Sequence, residues 1–240
     1  MSKRDGGGDL RRFYIVLAVV ALVGIAAVGY SVGSSAFGGT ADVPLSLDGT
    51  DDPRRLMELA VPIVDGDEDA PVTILVFGDY LCGHCATFSL RERPRILSEY
   101  VETGKARLVY YDFVLNPEPQ YGTFLAARAA RCAGDQGHFW EFHDQLYLNQ
   151  LSWGMESGKA GIFQEYAEGM GLDAAEFRAC LNSDRHAVEV SANRELALNL
   201  GLGGTPAILV GTGQGMSRRV RDYYFSSVQE AVEALLEGQG

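Results

Sequence analysis

The tetrapeptide Cys82-Gly83-His84-Cys85 directly follows a continuous apolar run, Val72-Thr-Ile-Leu-Val-Phe77, and opens a stretch with helical periodicity. No other feature of the 240 residues restricts the fold as tightly. The run is β-favouring and lacks an alternating polar face, the mark of a central strand buried on both sides. Phe88, Ile96, Leu97 and Tyr100 then supply the apolar contacts of a helix over about residues 82–102, in which Pro94 predicts a kink. A cysteine in the first turn of a helix meets unpaired backbone N–H groups and the positive end of the helix dipole. Both favour thiolate over thiol. Three residues on, the second cysteine lies on the same helix face, within reach of a disulfide. His84 offers a further positive or hydrogen-bonding partner, and stabilising the reduced thiolate makes the disulfide a stronger oxidant. A structural disulfide and half of a zinc site are the alternatives. Zinc needs about four ligands, and the chain has no second C-x-x-C and no H-x-x-x-H, so no metal is expected. His138 and His143, five apart in the aromatic run HFWEFHDQLY, read as packing residues.

Beyond this helix the pattern alternates. Ala106 to Leu115 reads as a second strand, and residues 120–200 are helix-rich, with glycine breaks near 134–137, 154–161, 169–171 and 201–204. Ala207 to Val210 and Arg218 to Phe225, joined by a glycine-rich turn, read as a β-hairpin, and Ser226 to Glu237 has helical spacing. Gly211, Gly213 and Gly215 precede no helix, so they mark a turn and not a phosphate loop, and Arg218, Arg219 and Arg221 line a solvated strand. The order β, α, β, several helices, β, β, α describes an α/β domain over residues 71–240 with a large helical insertion at about 120–200.

The N-terminal third is different in kind. Residues 1–12 carry Lys3, Arg4, Arg11 and Arg12, and Phe13 to Val32 is 20 residues without a charge. As a helix it is about 30 Å long, the thickness of a bilayer's hydrocarbon core. Ser34-Ser35-Ala36 is a passable cleavage site, but the apolar run exceeds a signal peptide's usual core of about 7–15 residues, so residues 13–33 are expected to be a retained anchor. The basic residues before it place the N-terminus in the cytoplasm and the remainder outside, periplasmic or at the cell surface. Gly29 and Gly33 form a G-x-x-x-G that reads as incidental in a Gly- and Ala-rich segment. Residues 34–70 hold nine acidic and two basic side chains, a solvated spacer in which Leu59 to Val64 could form an edge strand. The formal net charge of −12 argues against nucleic acid.

The segment APVTILVFGDYLCGHC, the helical insertion, and Gly204-Thr205-Pro206-Ala207 before the last strands together resemble the DsbA-like branch of the thioredoxin superfamily, over about residues 56–237. The resemblance implies a thioredoxin-like fold with a large helical insertion. It implies Cys82 as nucleophile, Cys85 as resolving thiol, and Pro206 as a cis-proline facing them and exposing the Thr205 backbone to an extended substrate. Many relatives carry a buried Glu or Asp six residues before the first cysteine; here that position is Val76. Asp79 reads as too exposed to replace it, so deprotonation of Cys85 is expected to be unassisted or water-mediated. Cys132 and Cys180 are either two small buried hydrophobes or a second, structural disulfide, which an oxidising compartment and the habit of relatives favour. The implied activity needs no cofactor: a membrane-anchored, monomeric thiol–disulfide oxidoreductase introducing disulfides into extended or unfolded secreted or envelope proteins. Its implied reoxidant is a quinone-linked membrane protein of the DsbB-like or vitamin-K-epoxide-reductase-like type. A reductase or isomerase of the same fold, and a tethered chaperone without redox turnover, are the alternatives.

Overall fold

The computed structural model describes residues 41–212 and 217–238. The expected anchor at 13–33, the basic N-terminus, Gly213 and Gly215 lie outside them. Among the described residues no helix is long and apolar enough to cross a membrane.

The first described elements are a short helix α1 (Pro53–Leu59), capped by the Asp52 side chain, and the three-residue strand β1 (Ile63–Asp65). β2 (Val72–Gly78) leads to a helical run, α2, that changes register along its length: α over Gly83–Thr87 and Arg93–Ile96, π over Phe88–Glu92 and Leu97–Val101. The Arg93 N–H already reaches back five residues to the Phe88 carbonyl, so the ladder widens just where Pro94 has no N–H to give. The expected proline kink is taken up as π turns. β3 (Ala106–Asp112) is followed by the insertion: α3 (Thr123–Gly134), α4 (Phe139–Leu148), α5 (Gln150–Met155), α6 (Lys159–Gly169), α7 (Ala174–Leu181) and α8 (Ala187–Asn199). β4 (Ala207–Thr212), β5 (Arg218–Arg219) and α9 (Phe225–Glu237) complete the domain.

The sheet order is β1-β3-β2-β4-β5, with β2 parallel to β3 and the other pairs antiparallel. Alternation along β2 divides the core. Val72, Ile74 and Val76 join Leu108, Tyr110 and Ile208 beneath α2, α9 and the helical insertion; Leu75 and Phe77 join Val109 and Tyr111 on the opposite face, against Leu56 and Leu196 of α1 and α8.

Three expectations change. The edge strand is displaced from Leu59–Val64 to Ile63–Asp65, because the apolar residues Leu56 and Ala60 are used by α1 instead. The last strand shrinks from Arg218–Phe225 to two residues: Asp222 accepts the Tyr224 N–H, which ends the extended chain, and Phe225 opens α9. Residues 41–65, the described start of the expected spacer, pack on the domain. Buried Arg128 donates to the carbonyls of Ala41, Leu181 and Ser183, and the N–H groups of Ala41 and Leu45 bind Asp184 and Ser191. The acidity of the segment hid the apolar and backbone contacts that hold it.

Candidate active site

The end of β2 delivers the chain to the site. Asp79 follows the last strand residue, and its carboxylate accepts the N–H groups of Leu81 at 2.7 Å and Leu115 at 2.8 Å. It thereby fastens the turn before the cysteines to the segment after β3. Asp79 is 3% exposed, which corrects the expectation that it faces solvent. Burial, opposed by the two backbone N–H bonds, raises its pKa to about 6.

Cys82 is the N-cap of α2, half-buried, with extended backbone angles. Its sulfur accepts the Cys85 N–H at 3.4 Å, and as a thiol donates to the Thr205 carbonyl at 3.2 Å. A hydrogen bond from the Cys85 thiol, helped by the backbone N–H groups of Cys85 and His84, brings the Cys82 pKa down to about 5 against the opposing effect of burial. Cys85 is 2% exposed; burial first, and the neighbouring Cys82 second, push its pKa well above the ordinary thiol value. The two sulfurs of one turn are therefore polarised in opposite directions. They are not bonded to each other.

The Thr205–Pro206 bond is cis and lies against this turn. From the insertion, the Gln150 side chain donates to the carbonyls of Tyr80 and Cys82 at 2.7 and 3.1 Å, and Gly154 approaches Leu81 so closely that a Cβ there would sit 2.8 Å from the leucine. Leu148, Leu151 and Met155 of the same stretch are exposed. His84 is placed otherwise than expected. Its ring is exposed and stacks on Tyr223 with centroids 5.2 Å apart, so what it gives Cys82 is its backbone N–H.

Beneath Cys85 lies a buried group of hydroxyls and one imidazole. The hydroxyls of Tyr110 and Tyr147 converge over Gly78, where a Cβ would stand 3.0 and 3.2 Å from them. Tyr147 donates to the Asp79 carbonyl. His143 bridges the Tyr80 hydroxyl (2.9 Å) and the Ser89 hydroxyl (2.8 Å) through its two ring nitrogens. Val76, 1% exposed, faces the same region. The sequence singles out Asp79 only to place it in solvent, and it offers no signal for Gln150 or these tyrosines.

Cys132 and Cys180 form a disulfide, with Cα atoms 5.8 Å apart, that ties α3 to α7. It settles the choice between two buried thiols and a bond. Their sulfurs and His186 form a cluster of metal-ligating type, but both thiols are spent on the disulfide.

The family model described as "Thioredoxin" matches residues 59–224. A probable disulfide bond formation protein D of Bacillus cereus is 31% identical over 150 residues, covering 60% of this chain and 68% of that protein. The crystal structure of oxidised BdbD from Bacillus subtilis aligns with a TM-score of 0.63 at 24% identity, over 73% of this chain and 92% of that one. Wolbachia pipientis α-DsbA1 aligns with a TM-score of 0.65 at 21% identity, over 74% and 92% of the two chains. At these identities the two structures establish a shared fold.

Proposed function

The chain belongs to the thioredoxin family and is a DsbA-like thiol–disulfide oxidoreductase, and from this we propose that it introduces disulfides into proteins through Cys82. The observation that carries the direction is the opposite polarisation of the two sulfurs, with Cys82 at about 5 and Cys85 pushed up. In the oxidised protein a substrate thiolate attacks Cys82 Sγ. The Cys82–Cys85 bond breaks, Cys85 leaves with the electron pair and takes a proton, and a mixed disulfide joins substrate to Cys82. A second substrate thiolate then attacks the substrate sulfur of that bond. Cys82 leaves as a thiolate, stabilised by the Cys85 thiol and the backbone N–H groups, and the substrate has lost two electrons. An enzyme whose reduced form is stabilised in this way gives up its disulfide readily.

Substrates of this reading are extended or unfolded secreted or envelope proteins, paired with the Thr205 backbone beside Cys82 and resting on the exposed Leu148, Leu151 and Met155. Reoxidation is assigned to a quinone-linked membrane protein, and the uncharged segment 13–33 to an anchor that holds the domain outside the cytoplasm.

Equilibrating the Cys82–Cys85 pair with glutathione tests the direction. An oxidase pair remains reduced in buffers where the glutathione pool is substantially oxidised. A pair that stays oxidised in reduced glutathione sinks the oxidase reading in favour of a reductase, and undiminished oxidation of a peptide dithiol by Cys82→Ser sinks the whole scheme.

A further inference from the structure

Cys85 is the thiol whose proton has no evident way out. To close the disulfide during reoxidation, its S–H bond must break as its sulfur attacks Cys82 in a mixed disulfide. Yet Cys85 is 2% exposed, and burial disfavours its thiolate. A proton leaving a site of this kind needs a path through polar groups to water.

The structure gathers the polar groups of such a path, with one water needed to complete it. Cys85, Tyr110, Tyr147, His143 and Ser89 share the lining of a cavity of about 10 Å³, room for one water. The Tyr110 hydroxyl is buried on its wall without a well-formed hydrogen bond, and a buried hydroxyl in that position calls for a water partner. The Tyr80 hydroxyl neighbours that of Tyr110 and meets His143 Nδ1 at 2.9 Å. On the far side of the ring, His143 Nε2 meets Ser89 Oγ at 2.8 Å, and Ser89 donates to Asp144 Oδ1 at 3.2 Å. The Asp144 side chain is 35% exposed, and Arg93, itself buried and lying over Trp140, holds its two oxygens at 2.7 and 2.6 Å. The line thus runs from a buried thiol to solvent-accessible carboxylate.

We propose that His143 is a proton relay for Cys85, passing the proton from a cavity water and the Tyr110 and Tyr80 hydroxyls through Ser89 to Asp144. With Asp144 ionised, every donor points outward: Tyr80 O–H to Nδ1, Nε2–H to Ser89, Ser89 O–H to the carboxylate. One proton enters His143 at Nδ1 as another leaves from Nε2, and Asp144 hands it to bulk water. Meanwhile the Cys82–Cys85 bond forms, the mixed disulfide breaks, and the partner leaves as a thiolate with the electron pair. The same atoms run in reverse when Cys85 is the leaving group. Burial keeps the carriers neutral, raising the tyrosines and holding His143 well below its ordinary value, so no charge is stranded inside.

This inference rests on the redox reading of Cys82 and Cys85, and one experiment separates their failures. Reduced protein is mixed with oxidised glutathione, and two rates are read at neutral pH: attack of Cys82, forming the glutathione mixed disulfide, and release of glutathione by Cys85. In His143→Phe the first rate and the glutathione equilibrium constant are expected to stay within about twofold, while the second falls at least about tenfold. Ser89→Ala, which leaves the Tyr80–His143 bond and cuts the exit, gives the same pattern and decides the matter if His143→Phe does not fold. An unchanged second rate in a folded variant overturns the relay, as does an equal fall in both rates, which marks His143 as a packing residue. If wild-type protein forms no mixed disulfide at all, the redox reading itself fails.

Discussion

The chain has four cysteines, and its two pairs occupy opposite chemical situations. Cys82 and Cys85 are three residues apart at a helix N-terminus, one sulfur half-exposed and the two unbonded. Cys132 and Cys180 are 48 residues apart, each 2% exposed, and bonded across α3 and α7. The first pair spans a loop too short to restrain the chain much, but it is surrounded by donors that favour a thiolate. The second closes a long loop inside the insertion, buried beside Asp135 and His186, and is removed from any attacking thiol. Reactivity thus follows from placement at a helix start and from exposure, while mechanical value follows from loop length.

The sharpest way to separate the pairs is to remove one at a time. Cys82→Ser is expected to lower oxidation of a reduced peptide by about a thousandfold or more, because no other group takes over as the nucleophile. The double substitution Cys132→Ala/Cys180→Ala should leave the rate within about threefold at a temperature where the protein is folded. Peptide oxidation assays on both proteins make the comparison, and a comparable loss in the second would show that the pairs do not divide their roles.

Stability should give the mirror image. Releasing a 48-residue closure costs about 4 kcal/mol in the chain-entropy model, whereas Cys82→Ser frees no loop of consequence. Denaturant unfolding of the two variants checks this. A loss below about 1 kcal/mol for the double variant would mean that the insertion's packing alone fixes α3 on α7.

A third contrast lies in pH. Cys82 titrates at about 5 in the folded reduced protein and near 8.5 unfolded, a depressed acid. Its contribution to the reduced form is therefore fully present above about pH 8.5 and lost as pH falls through 5. Melting curves of reduced and oxidised protein should show the reduced form favoured at pH 7.5 and the gap shrinking towards pH 4.5. The Cys132–Cys180 bond, which does not titrate, should add nothing to that trend.

How much of this was legible beforehand follows from what each signal depends on. The β2–Cys-x-x-Cys–α2 unit is local: strand pattern, helix start and spacing are contiguous, and the structure places them as read. The cis bond before Pro206 rests on resemblance, and the pairing of Cys132 with Cys180 on the expected oxidising compartment together with resemblance, since neither is fixed by neighbours in the chain. What escaped were features made by distant segments. Asp79 is buried because Leu81 and Leu115 both bind it, and His143 is a bridge only because α2 brings Ser89 to it while the turn after β2 brings Tyr80. Residues 41–65 looked solvated because their charges are frequent, although the contacts holding them involve backbone groups that composition does not register.

Asp79 yields the smallest and most discriminating effect within the reactive pair. Its carboxylate supports the turn through two backbone N–H bonds, yet its charge lies near Cys82, and each raises the energy of the other's ionised form. Asp79→Asn keeps one carbonyl oxygen, so one of the two N–H groups loses its acceptor, at a cost on the order of 1–3 kcal/mol. Against that, the variant no longer keeps a charged carboxylate in a buried place, which offsets part of the loss at neutral pH. That offset fades in acid. A carboxyl raised to about 6 when folded and near 3.9 when unfolded binds its proton more readily in the folded state, so wild type gains stability as pH falls from about 6 to 4, and the variant does not. Removing the charge should also lower the Cys82 midpoint by a few tenths of a pH unit, followed by ultraviolet absorbance of the thiolate. A rise in that midpoint instead would mean that the carboxylate acts on Cys82 chiefly by shaping the turn, and that the donors around the sulfur depend on Asp79 being ionised.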